Sequence, residues 1–286
     1  PLPPLPRDPK PQGSHAVQIL RTYPAKKPPF PFAPNGERSI ARAYHKAYER
    51  AQSLIYIEDQ YFWSSEVPGI LAQNLRNKPN LHLIVVLPRY PEKDGTFSAP
   101  PNVFGQIQAV EMIQEAGGDR AAFYNLENRL GTPIYVHAKV CVVDDVWAAI
   151  GSDNVNLRSW THDSELSCSV IDETLDEREP KDPGGLGDGA RRFARDLRLE
   201  LWREHLGGDD AELVDPAQGF HRFKRVAQAL EDWHAAGKRG TRPPGHARPH
   251  EPDDLPRWVR RWAGPIYRTA LDPDGRPRDL RKANLF

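Results

Sequence analysis

His137, Lys139 and Asp144, followed by Gly151-Ser152-Asp153-Asn154, form the densest chemical pattern in this chain. A histidine and a lysine two positions apart on an extended segment project to the same side. The small-residue turn that follows brings a hydroxyl, Ser152, and a carboxamide, Asn154, to the same end. An imidazole can attack phosphorus or exchange a proton, and an ammonium, a hydroxyl and an amide can hold anionic oxygens. Together they are what cleavage of a phosphodiester requires. Such bonds break slowly because an anionic phosphorus repels nucleophiles and an alkoxide leaves poorly. Attack by a neutral imidazole divides the reaction into two easier steps through a covalent phosphohistidine. A second, protonated imidazole can supply the leaving group's proton and later activate water or an alcohol, since histidine titrates near neutrality.

The spacing is not noise. With 10 His, 11 Lys and 22 Asp among 286 residues, chance gives about 0.03 occurrences of His-x-Lys followed after four residues by Asp. Requiring the Gly-Ser-x-Asn turn at a fixed later place lowers this by roughly ten thousand. His246, Arg248 and Asp253 form a relaxed near-match, but they lie in Pro-rich PGHARPHEPDD and are expected to be loop. Around the true pattern, Pro133–Val136 leads in, Val140–Val143 continues an apolar run, and Val146–Ile150 is a second one. Asp144-Asp145 between them suits a tight hairpin turn.

These residues resemble the HKD motif of the phospholipase D superfamily. Ile57-Glu58-Asp59-Gln60-Tyr61-Phe62 is similar to a segment of the C-terminal half of two-motif phospholipases D, with Asp59 where Asn is usual. Ser159–Glu165 is similar to the polar stretch after the motif, ending in a carboxylate 28 residues beyond His137. Phe193–Gly207 is similar to the family's late helix, and the resemblance covers about residues 16–215. Members of the family use two HKD motifs at one site, and only one is present here. The chain also begins with Pro1 and has a single methionine, Met112. It is therefore expected to be the C-terminal lobe of a longer protein, with a single-motif protein that dimerises as the alternative.

The resemblance implies roles. In two-motif relatives the N-terminal histidine is taken as the nucleophile, which makes His137 the general acid/base; in a symmetric dimer either copy can serve. Lys139 stabilises charge on the phosphoryl oxygens as a point cation, and Ser152 and Asn154 complete the cradle. A carboxylate bonded to the imidazole's other nitrogen fixes its tautomer; Glu165 is the first candidate and Asp163 the second. Asp144 alternates away from His137 and Lys139, so Asp144 and Gly151 are expected to be structural members of the motif. Glu58 and Gln60 end the apolar run Leu54–Ile57 two apart. Either both face the site as substrate-binding groups or they form a turn-facing polar pair.

Composition fits this picture. At this length the chain can bury a sizeable core. Lys plus Arg equals Asp plus Glu, 39 each, which argues against a nucleic-acid partner. Cys141 and Cys168 fall in expected strands and read as small buried residues. No run approaches 18 apolar residues, so no transmembrane segment is expected; cytoplasmic and secreted locations both remain open. No cofactor is implied, and no metal site: Asp272-Pro-Asp274-Gly275 lacks the further ligands of a calcium loop and reads as a turn.

The elements that position these residues alternate. Strands are expected at Val17–Tyr23, Leu54–Ile57, Leu81–Leu87, Ala122–Leu126 and Ser167–Ile171, around the motif hairpin. Helices are expected at Gly36–Ser53, Val67–Arg76, Phe104–Glu115, Ala190–His205 and Ala217–Ala236, with Lys181–Gly189 as a loop. This is an α/β fold, a mixed β-sheet sandwiched by helices. Three regions follow: a Pro-rich linker over 1–16, a phospholipase D-like lobe over 17–215, and a helical and irregular C-terminal extension over 216–286. Within the Ala190–His205 helix the arginines 191, 192, 195 and 198 are expected on a solvated face, interleaved with Asp196, Glu200 and Glu204. Trp258 and Trp262 suggest a short docked helix.

The resemblance implies a phosphodiesterase that hydrolyses or transphosphatidylates phospholipid head groups. Its partners would be a membrane surface and a second motif from an N-terminal lobe or another subunit. The alternatives are a nuclease, a cardiolipin-synthase-like transferase, or an inactive lobe that only binds lipid or a partner.

Overall fold

The computed structural model describes residues 10–64, 66–90, 99–208, 211–252 and 254–286. Residues 1–9 of the expected linker and Asp253 of the near-match lie outside them. The first half of the chain holds β1 (His15–Tyr23), β2 (Glu37–Arg38), α1 (Ser39–Arg50), β3 (Leu54–Glu58), α2 (Glu66–Asn77), β4 (His82–Val86), α3 (Ala99–Gly117) and β5 (Ala121–Glu127). Then come β6 (Pro133–Ile134), β7 (Val140–Val143), β8 (Trp147–Gly151), α4 (Leu157–Thr161), β9 (Glu165–Asp172), α5 (Arg192–Leu206), α6 (Pro216–Ala235), β10 (Ala247–Pro249), α7 (Arg257–Ile266) and α8 (Arg278–Ala283).

The strands form one mixed sheet in the order β10-β5-β4-β3-β7-β8-β9-β1-β2, with β6 beside β5. β3, β4 and β5 are parallel and the other pairings antiparallel. The central strands are apolar on both faces, as a sheet covered on both sides requires. Ile55, Ile57, Leu83, Val85 and Cys141 meet α1, α2 and α3 on one face. Leu54, Tyr56, Ile84, Val142 and Ala148 meet α5 and α6 on the other. α1 forms because Ile40, Ala41, Tyr44 and Tyr48 recur at helical spacing and all four are buried.

The β7–β8 hairpin turns as expected. Asp144 and Asp145 both take positive φ, 51° and 56°, the pairing of a type I′ turn. The Val146 N–H closes it on the Val143 carbonyl at 2.9 Å. The Asp144 carboxylate reaches across to accept the backbone N–H groups of Gln52, Ser53 and Leu54 at 2.7–2.8 Å. It thereby locks the turn to the start of β3.

Two expectations are corrected. Arg195 and Arg198 are not solvated; both are fully buried. Asp145 on the hairpin turn bonds Arg195 Nε at 2.9 Å and Arg198 Nε at 2.6 Å, and Asp176 takes Arg195 Nη1 at 3.2 Å. A buried guanidinium is tolerated only when paired in this way, and the partner lies 50 residues away. Ala247–Pro249 is not a loop. β10 pairs antiparallel with β5, and the bonds at its ends come from the His246 carbonyl and the His250 N–H. An edge strand does not need the N–H that Pro249 lacks. Residues 216–286 hold α6, α7 and α8 and also add this strand to the sheet. α7 docks through Val259 and Ala263 onto Trp63, Phe104 and Tyr267; Trp262 packs against this cluster, whereas Trp258 stays 70% exposed.

Candidate active site

The motif residues meet where β3, β7, β8 and β9 end together. There Gln60, His137, Lys139, Ser152, Asn154 and Glu165 line one cleft of about 700 Å³. His137 and Lys139 stand on an extended arm between β6 and β7 rather than within a regular strand. The arm is tied to β8 by the Gly151 N–H donating to the Lys139 carbonyl at 3.1 Å. Alternation survives on it: Val136 is buried against α5 and α6, while His137 projects, exposed, into the cleft.

Lys139 is buried, 8% exposed, and lines the cleft. Its Nζ donates to Gln60 Oε1 at 2.8 Å and to the His137 carbonyl at 2.9 Å. Gln60 donates in turn to the Tyr135 hydroxyl at 2.8 Å. The ammonium is thus oriented by a neutral amide and a backbone carbonyl, with its charge directed at the cleft that it lines. Asn154 is 8% exposed, and its Oδ1 has no hydrogen-bond partner among the described residues. A buried amide oxygen left unsatisfied is costly unless a donor, such as a ligand's O–H, completes it.

Gly151 is required by packing. A Cβ there would stand 1.8 Å from Ser167 Oγ on β9, so any side chain would separate β8 from β9.

Glu165 is in the cleft, but its expected bond to the His137 imidazole is not made. Its carboxylate instead accepts the Ser152 hydroxyl, which itself accepts the Leu166 N–H at 3.1 Å. Burial raises the Glu165 carboxyl above its ordinary range, against the opposing pull of the Ser152 and Ser159 hydroxyls. Asp163, the second candidate, is engaged by Arg158 at 2.5 Å and His162 at 3.0 Å.

The structure does not bring Glu58 to the cleft. Its carboxylate faces α5, where it accepts the Tyr56 hydroxyl at 2.5 Å and meets His205 Nε2 at 2.9 Å. The even spacing of Glu58 and Gln60 fails because β3 ends at Glu58. Asp59 then turns the chain by accepting the N–H groups of Tyr61 and Phe62 at 2.8 and 2.6 Å. Its second oxygen accepts the Val155 N–H at 2.8 Å, so Asp59 fastens the end of β3 to the loop carrying Asn154. Burial raises its carboxyl, opposed by these N–H groups and by Lys139.

Sequence reasoning missed several lining residues. Tyr61 and Trp63 stack with centroids 4.2 Å apart and planes 4° apart, and with Asn102 and Arg158 they wall the cleft. Tyr61 follows Gln60 directly, which was the one available signal. Asn102 and Arg158 reach the cleft from α3 and α4, and no spacing encodes that. Cys141 lies beneath the site, buried, with its thiol pushed up by desolvation, so it is not an activated nucleophile. Among the described residues no group of three or more His, Cys, Asp and Glu is placed to hold a metal ion, and no helix is long and apolar enough to cross a membrane.

A family model described as phospholipase D matches residues 109–243, which include the hairpin, β9 and α5. The chain is 28% identical over 251 residues to phospholipase D zeta 1 of Arabidopsis thaliana, covering 72% of this chain and 22% of that protein. It is 31% identical over 221 residues to phospholipase D1 of Mus musculus, covering 64% and 20%. Across such relatives it spans from 14% to 33% of their length. The crystal structure of Nuc, a phospholipase D family member from Salmonella typhimurium, aligns with a TM-score of 0.39 and 19% identity over 55% of this chain and 84% of that one.

Proposed function

Since this chain carries a phospholipase D superfamily domain, we propose that it supplies one of two HKD motifs to an enzyme that hydrolyses, or transfers to an alcohol, the phosphatidyl group of phospholipids. The observation that carries this reading is the convergence of His137, Lys139, Ser152 and Asn154 on one open cleft. In the first step the partner motif's imidazole forms a bond to phosphorus, and the bond from phosphorus to the head-group oxygen breaks. His137, protonated, gives its proton to that oxygen. In the second, neutral His137 takes a proton from water or an alcohol, whose oxygen attacks phosphorus and releases the first imidazole. Lys139 and the Asn154 amide hold the phosphoryl oxygens as charge builds on them. Gln60 keeps Lys139 aimed, and Glu165 keeps the Ser152 hydroxyl aimed.

The test is to give the assembly carrying both motifs phosphatidylcholine vesicles with and without a primary alcohol. Release of choline, with phosphatidic acid formed in water and a phosphatidyl-alcohol when the alcohol is present, supports the reading. No choline release, together with cleavage of DNA, would replace it with a nuclease.

A further inference from the structure

An apolar strip leads from the sheet to a basic, aromatic loop beside the cleft. Val17 and Ile19 on β1 are 54% and 60% exposed, and Leu166 on β9 is 59% exposed. Leu166 stands opposite Arg21 and Cys168 opposite Ile19 in the antiparallel register, so these side chains share one face. It is the face that α5 covers farther along, at Ala148 and Val142.

The strip continues through Tyr23 into the loop after β1. Tyr23, Phe30 and Phe32 pack on one another with centroids 5.0–5.4 Å apart, and Phe32 is 50% exposed. Lys26 Nζ lies 3.9 Å from the Phe30 centroid. Residues 21–34 hold three cations, Arg21, Lys26 and Lys27, and no carboxylate; among the described residues only Arg21 of the three has an acidic partner, Glu37 at 2.8 Å. The loop is also close to the chemistry. Thr22 pairs with Glu165 of the cleft, so the loop root is three strands from Lys139, or about 14 Å at the usual strand spacing.

We propose that this loop and strip are the surface by which the protein docks on an anionic phospholipid membrane. The inference rests on the lipid reading of the cleft. Aromatic rings with lysines around them are suited to the interface, where rings enter the acyl boundary and ammonium groups meet phosphates. The charge of Lys26 and Lys27, which pairs with no carboxylate among the described residues, complements anionic lipid. Docking here would set the cleft mouth beside the head groups it acts on.

The experiment is co-sedimentation of the chain with vesicles of phosphatidylcholine alone and of phosphatidylcholine mixed with phosphatidylserine. Binding is expected to the mixed vesicles and to weaken with salt. Lys26→Gln/Lys27→Gln and Phe30→Ala/Phe32→Ala are each expected to lower partitioning on the order of tenfold. All the changed side chains are on the surface loop, and unchanged thermal unfolding checks the fold. His137→Ala is expected to bind vesicles as the wild type does. Hydrolysis of a monomeric short-chain phosphatidylcholine by the assembly reports on the cleft alone, so loss of the lipid reading and loss of the docking surface give different results. Absence of vesicle binding by the wild type, or equal binding by both variants, overturns the proposal. So does Ile19→Asp converting a dimer to a monomer while leaving vesicle binding unchanged, since the strip would then be a protein interface.

Discussion

Asp153→Asn is predicted to stabilise the protein at neutral and alkaline pH. Asp153 sits inside the motif turn but points into the core, 2% exposed, and its carboxylate accepts the Ser167 hydroxyl. Around it lie Tyr44 and Tyr48 of α1, Cys141 of β7, and the carboxylates of Asp59 and Glu165. Burial pushes its carboxyl from 3.8 up to about 7; the Ser167 hydroxyl opposes this, and Glu165 and Asp59 add to it. A folded-state value above the unfolded one means that stability is fully present below about pH 3.8 and is lost as pH rises through about 7. At about 1.36 kcal/mol per pH unit, the loss amounts to ~4 kcal/mol at most. Asparagine keeps the volume and an acceptor for Ser167 without the charge. For a chain of this size that upper bound corresponds to roughly 7 °C in Tm. Thermal unfolding of both proteins from pH 4 to pH 8 is the assay. The wild-type profile should fall away from that of the variant across this range, with the two close together at the acid end. Parallel profiles would refute the reasoning.

Further outcomes follow from the packing and the cleft. Arg198→Met leaves Asp145 short of a buried partner and should cost about 3–5 kcal/mol in urea unfolding. Gly151→Ala forces a Cβ to within 1.8 Å of Ser167 Oγ and 2.3 Å of Ser167 Cβ. It should destabilise by about 1–3 kcal/mol, and Ser167→Ala should not rescue it. Lys139→Ala removes the cation held by Gln60 and should lower kcat in the assembled enzyme by roughly 10²–10³-fold with a smaller effect on KM.

Local patterns were legible in the sequence, and long-range pairings were not. Alternation along the arm placed His137 and Lys139 toward the cleft, and two aspartates between apolar runs marked the hairpin turn. The same aspartates hid their further use. Asp145 pairs with Arg195 and Arg198 across 50 and 53 residues, with Asp176 as a second partner of Arg195, so a helix that reads as charged on its surface is in fact anchored through those charges. Glu58 and Gln60 look equivalent by spacing, but the turn that Asp59 imposes after β3 separates them. The resemblance singles out Glu165, and its carboxylate lines the cleft, yet its contact is with Ser152, because a resemblance in sequence names a carboxylate without orienting it. Pro249 argued against a strand, but at a sheet edge the missing N–H costs nothing.

The most direct measurement is choline release from phosphatidylcholine by the two-motif assembly carrying His137→Ala. His137 is exposed in the cleft, and its imidazole bonds no side chain among the described residues, so the melting temperature should not move. The rate should fall by roughly 10²–10⁴-fold, the usual weight of a general acid/base. A folded variant that turns over at the wild-type rate would contradict the account.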